Sequence, residues 1–143
     1  PLPPTDDRPM TDPQRADTGI VLFAHGARDP EWAKPLRHIA ATIGARDAAL
    51  PVRLAFLEFM TPSLADAVAS MAREGIHRIT LVPLFLAQGG HLKHDLPILL
   101  DEIRARHPSV KIDVTDAIGD SPELVTAIAD WALGRHLASG AAR

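Results

Sequence analysis

Apolar residues along the chain gather into four short runs, each followed by a stretch with helical spacing. "GIVLFAH" (Gly19 to His25) is continuous enough to be a strand buried on both faces. "VRLAFLEF" (Val52 to Phe59) reads as a second strand and "HRITLVPLFLA" (His77 to Ala87) as a third. Pro83 interrupts the third because proline cannot donate to a ladder. "VKIDVTDAIG" (Val110 to Gly119) reads as the fourth. Between and after them lie four predicted helices with strong punctuation. In "DPEWAKPLRHIAATIGARDAAL", Asp29 can cap, Pro30 suits the first turn, and Pro35 would kink or delay the helix. "TPSLADAVASMAREG" has Thr61 as expected cap, Pro62 next and Gly75 past the end. "DLPILLDEIRARHP" is capped by Asp95 in this reading, and "SPELVTAIADWALGRHLA" by Ser121. Four β–α units in series predict an α/β fold with three α/β/α layers around a four-stranded parallel sheet. Such sheets bind ligands at the carboxyl ends of their strands.

The flanks do not share this pattern. Residues 1–18 are rich in Pro and Asp without apolar period and are expected to be a disordered tail. Residues 19–137 form the predicted single domain, and 138–143 a short fraying tail. At 143 residues, with 46% apolar and 23% charged residues, the balance is that of one ordinary globular domain. A net charge of −3 without a basic block argues against a nucleic-acid partner. No apolar run approaches the ~20 residues that span a bilayer, and the start lacks a secretory layout, so a cytoplasmic protein is expected. The absence of cysteine removes disulfides, thiolate metal sites and a Cys nucleophile.

The strand ends carry the chemistry. His25 and Gly26 close the first strand, Glu58 lies near the end of the second, and Gly89, Gly90 and His91 follow the third. Three potential ligands therefore leave successive strands at one sheet edge. Imidazole with carboxylate suits first-row divalent ions, and three protein ligands with open positions describe a reactive site. Each residue also has a plainer role. A lone strand-end His often only binds a loop carbonyl. Glu58, set in "AFLEFM", would be costly if buried alone, unless it faces outward or pairs with Arg53 or Arg28. His38, His77, His107 and His136 fall on helices or helix ends, while His94 shares the His91 loop and stays open. Asp95 could orient His91 rather than cap. Gly89 and Gly90 are candidates for a sharp turn and close approach of a flat ligand. Arg28 and Lys93 would draw an acidic ligand.

At these residues the chain resembles the small sirohydrochlorin chelatases, the short CbiX type of the ATP-independent class II chelatases. "LFAHGARDP" is similar to the family's opening strand and turn, with Ala27 where Ser is usual. "AFLEFMTPSLADAV", "VPLFLAQGGHLKHDLP" and "AIGDSPELV" resemble three further family segments in the same order, with Ile118 for Leu in the last. The resemblance implies a chelatase-like, flavodoxin-like topology and insertion of a divalent metal into sirohydrochlorin, toward cobalamin or sirohaem. Co²⁺ would be favoured over Fe²⁺ or Ni²⁺, with no permanently bound cofactor. It assigns His25, His91 and Glu58 to metal and proton handling. Arg28, Gly89, Gly90 and Lys93 fall to the substrate, and the assembly to a homodimer. The competing reading from another class is a metal or tetrapyrrole carrier that binds without turnover. A serine hydrolase is disfavoured, since Gly-x-Ser-x-Gly is missing.

Overall fold

The computed structural model describes residues 17–140, and the remaining parts of the two predicted tails lie outside them. Four parallel strands, β1 (Thr18–Ala24), β2 (Val52–Phe56), β3 (Arg78–Pro83) and β4 (Lys111–Val114), form one sheet in the order β2-β1-β3-β4. The helices are α1 (Lys34–Arg46), α2 (Leu64–Arg73), α3 (Gly90–Arg106) and α4 (Pro122–Ala138), with 3₁₀ turns at Pro30–Ala33 and Ile118–Asp120. The α/β class and the parallel four-stranded sheet agree with expectation. The order reverses between β1 and β3, where open parallel sheets form their crevice. The sheet also begins one residue earlier than expected, because Thr18 pairs with Arg78.

Two apolar clusters hold the layers. On one face Val21, Phe23, Ile79, Leu81 and Ile112 pack against Leu64, Val68 and Met71 of α2 and Leu96, Leu100 and Ile103 of α3. On the other, Ala24 and Phe56 pack with Ala33, Leu36 and Leu54. Burying each large aliphatic side chain contributes about 1.5–3 kcal/mol, and Phe23, Met71 and Leu81 are fully enclosed. α1 covers only the β2–β1 half of its face. Toward β4 the same face leaves Arg78, Thr80, Lys111 and Asp113 exposed.

Several local expectations need correction. Ser63, not Thr61, caps α2: its hydroxyl accepts from the Asp66 amide at 3.2 Å, and Thr61–Pro62 is a cis peptide before the helix. α3 begins at Gly90, five residues before the expected cap, so Asp95 is an exposed helical residue and Pro97 sits inside the helix. Pro97 lies beyond the first four N–H groups that lack intrahelical partners, so it removes one helical bond and crowds the Lys93 carbonyl. β2 ends at Phe56 and β3 at Pro83, both short of the apolar runs that predicted them. Asp29 does cap as expected, but over the 3₁₀ turn, with α1 delayed to Lys34.

α4 departs most from a layered fold. None of its residues is buried, and it joins neither apolar cluster. Leu124, Val125, Ile128, Leu133 and Leu137 are exposed, and Trp131 retains 66% of its surface.

Candidate active site at the carboxyl edge of the sheet

The ends of β1 and β2 are tied together first by backbone. The Leu57 amide donates to the Ala24 carbonyl at 2.9 Å and the Glu58 amide to the His25 carbonyl at 3.0 Å. These bonds extend the ladder past the strands and set the two side chains abreast. Gly26 makes this possible. Its φ is +93°, and a Cβ there would overlap the Glu58 carbonyl oxygen. The His-Gly pair was visible in the sequence; the reason for the glycine was not, since it lies in a partner 32 positions away.

His25 Nε2 then meets Glu58 Oε1 at 2.7 Å. Both side chains are about half exposed, 53% and 47%. Glu58 is thus not a buried strand carboxylate, because β2 has already ended; Arg53 pairs with Glu74 at 2.7 Å instead. An exposed pair of this kind adds little stability, typically ~0–1 kcal/mol. Its geometry suits a cation better. Nitrogen and oxygen ligands at ~2.0–2.2 Å from one ion stand about 3 Å apart. A divalent ion could replace the shared proton with a shift of a few tenths of an ångström.

Beside the pair, Glu58 C=O accepts the Met60 amide at 2.8 Å, closing a tight turn centred on Phe59 with φ +65°. Phe59 is 56% exposed, and the Arg28 guanidinium carbon lies 4.9 Å from its ring centroid. Sequence reasoning selected Arg28 but overlooked Phe59. An aromatic directly after the candidate carboxylate was the available signal.

The β3 edge is built differently. Leu84 N–H donates to the Phe23 carbonyl at 2.7 Å, and Phe85 packs edge-on to Phe23 with centroids 5.6 Å apart. Gly119 lies so close to Leu86 that a Cβ would overlap its carbonyl oxygen. Beyond these anchors the chain enters α3, where exposed His91 occupies the first turn and Leu92 packs against the core. Gly89 has φ −68°, and neither it nor Gly90 has anything within 4 Å of a would-be Cβ. The expected sharp glycine turn is therefore absent, though open space is present. Lys93 lines a groove of about 310 Å³ between α3 and β4, with Gln88, Leu96 and Arg104, rather than the wall formed by Arg28. His94 and Asp95 are exposed on α3.

The structure accordingly brings His25 and Glu58 together and leaves His91 outside the pair. Among the described residues no group of three or more His, Asp or Glu is placed to hold a metal ion. Nor, among them, is any helix long and apolar enough to cross a membrane.

Comparison with known proteins adds sequence-wide information. A family model described as CbiX matches residues 19–132. The sirohydrochlorin cobaltochelatase of Methanothermobacter thermautotrophicus is 36% identical over 87 residues, 61% of this chain and 60% of that protein. That of Saccharolobus solfataricus is 35% identical over 103 residues, 69% and 79% of the two chains. Among solved structures, a cobalamin biosynthesis CbiX protein from Marinobacter aquaeolei VT8 superposes with a TM-score of 0.72 at 32% identity, over 82% of this chain and 96% of that one. The sirohydrochlorin chelatase SirB from Bacillus subtilis subspecies spizizenii, in complex with cobalt, gives 0.67 at 26%, over 80% and 49%. The matched segment thus spans about half of SirB and less than two-thirds of the Methanothermobacter protein.

Proposed function

The chain belongs to the CbiX family, and from that premise we propose that it inserts a divalent metal, Co²⁺ by preference, into sirohydrochlorin without ATP. The observation that carries the proposal is the 2.7 Å His25–Glu58 pair at the crevice edge, inside the segment matched by the family model. Fe²⁺ and Ni²⁺ suit the same nitrogen–oxygen set.

Insertion replaces two pyrrole N–H protons by one M²⁺, so two protons must leave as the ion enters. His25 serves both needs. It ligates the incoming ion together with Glu58, and once the ion has passed to the macrocycle its free imidazole takes a proton. Glu58 holds the ring in orientation beforehand and shares the positive charge afterwards. His91, exposed in the first turn of α3, accepts the second proton in this reading. Half-exposed ligands fit a donor role, since a closed site would retain the metal. Arg28 and Lys93 stand on separate walls and engage different carboxylates around the macrocycle.

The working unit in this reading is a homodimer. Among the described residues, six large apolar side chains on α4 join no apolar cluster of their own chain. A second copy presenting its own α4 covers these apolar side chains through one two-fold contact. Sedimentation of the Trp131→Glu, Leu133→Glu double variant is expected to show monomer where the wild type shows dimer; a wild-type monomer at micromolar concentration would dismiss the assembly.

Turnover separates a chelatase from a carrier. The absorbance of sirohydrochlorin mixed with Co²⁺ is expected to convert to that of the metallated product over many equivalents per enzyme. Conversion that stops at one equivalent would identify a carrier instead.

A further inference from the structure

Phe59 holds a conformation that its residue type disfavours. A bulky residue at φ +65° is uncommon, and the left-handed region costs about 1–2 kcal/mol relative to glycine. The strain brings no burial in return, because the ring remains 56% exposed. A glycine would make the same turn without strain. What the phenyl ring adds is a surface: one face lies against the Arg28 guanidinium at 4.9 Å, and the rest meets solvent directly beside Glu58. Among the described residues no carboxylate pairs with Arg28.

We infer that Phe59 is a specificity-determining residue, a fixed aromatic platform whose free face takes the conjugated face of the tetrapyrrole, with Arg28 held over its other face to meet a peripheral carboxylate. This rests on the chelatase reading of the site. The pairing answers a recognition problem particular to such a ligand, which is flat and apolar at its centre and anionic at its rim. Stacking on an aromatic ring works without directional hydrogen bonds. A guanidinium already oriented by cation–π contact loses less freedom on binding a carboxylate than a free side chain would. Because the turn joins Phe59 to Glu58 by consecutive backbone, a macrocycle seated on the ring lies beside the His25–Glu58 pair.

The test is an absorbance titration of metal-free sirohydrochlorin into wild type, Phe59→Gly and Phe59→Tyr, with thermal unfolding of each. Phe59→Gly is expected to weaken binding about tenfold, with KM rising and kcat within about twofold. Its Tm should be unchanged or higher, since glycine relieves the turn. Phe59→Tyr should bind like the wild type, and Co²⁺ affinity in the absence of tetrapyrrole should be equal in all three. Wild-type affinity in Phe59→Gly would overturn the platform while leaving the chelatase reading standing. A weakened Phe59→Gly with a lowered Tm and an equally weak Phe59→Tyr would reduce Phe59 to a structural role. A wild type that binds no sirohydrochlorin would remove the chelatase reading and the platform with it.

Discussion

Two corners of the same sheet edge carry glycines, and they are built on opposite principles. At the β1–β2 corner Gly26 is buried under the Glu58 carbonyl at φ +93°, and paired backbone bonds fix His25 against Glu58. At the β3–α3 corner Gly89 and Gly90 stand in open space with ordinary backbone, and His91 rides on an exposed first helical turn. The first corner is preorganised before any ligand arrives; the second is anchored at its base through Phe85 and Gly119 and beyond its glycines through Leu92 and Leu96, leaving the glycines themselves in open space. A metal-delivering site benefits from that division. In the proposed function, one wall would define where the ion sits and the other would meet the large substrate.

One substitution made at both corners breaks or sharpens the contrast most strongly. Gly26→Ala forces a Cβ into backbone at a conformation that disfavours it, and should cost about 3 kcal/mol, lowering Tm by roughly 10 °C. Activity should fall with it, as Glu58 is pushed off His25. At the other corner Gly90→Ala meets nothing and improves helix propensity, so stability should rise by ~0.5–1 kcal/mol. Thermal melts of the two variants decide this: shifts of the same sign would erase the distinction. Between these extremes, Glu58→Gln keeps the shape and removes the charge; insertion rate is expected to drop at least ~10-fold with little change in Tm, consistent with an exposed pair. His91→Ala should slow turnover by less than Glu58→Gln at saturating substrate, measured by the same absorbance change. A greater loss at His91 would move the metal-holding wall to α3.

Much of this architecture was legible from local pattern. The β–α alternation, the parallel sheet, the Asp29 cap and the positions of His25 and Glu58 at one edge all follow from periodicity and punctuation. The features that escaped depend on distant partners or on competition between near-equivalent signals. Thr61 and Ser63 are both competent caps, and only the chain's path into α2 selects Ser63. Asp95 resembled a cap, but the helix had already begun at Gly90. The apolar run "VRLAFLEF" continues past the last ladder pair, so the pattern left open whether Glu58 is buried or faces outward, and it stands at the surface. Gly26 and Gly119 are required by carbonyls of Glu58 and Leu86, contacts no spacing rule encodes. The convergence expected of His25 and His91 on one ion is not completed within the described residues of a single chain, which place only His25 and Glu58 in contact. Likewise the apolar composition of α4 predicted a helix correctly but gave no indication that it would leave its own sheet uncovered.

The most direct test of the account is the steady-state rate of Co²⁺ insertion into sirohydrochlorin by His25→Ala beside the wild type, followed by absorbance. Loss of both a metal ligand and a proton acceptor predicts a fall of ~10²–10⁴-fold in kcat with the fold intact. A His25→Ala protein that turns over at the wild-type rate would contradict the claim that the His25–Glu58 pair receives the metal.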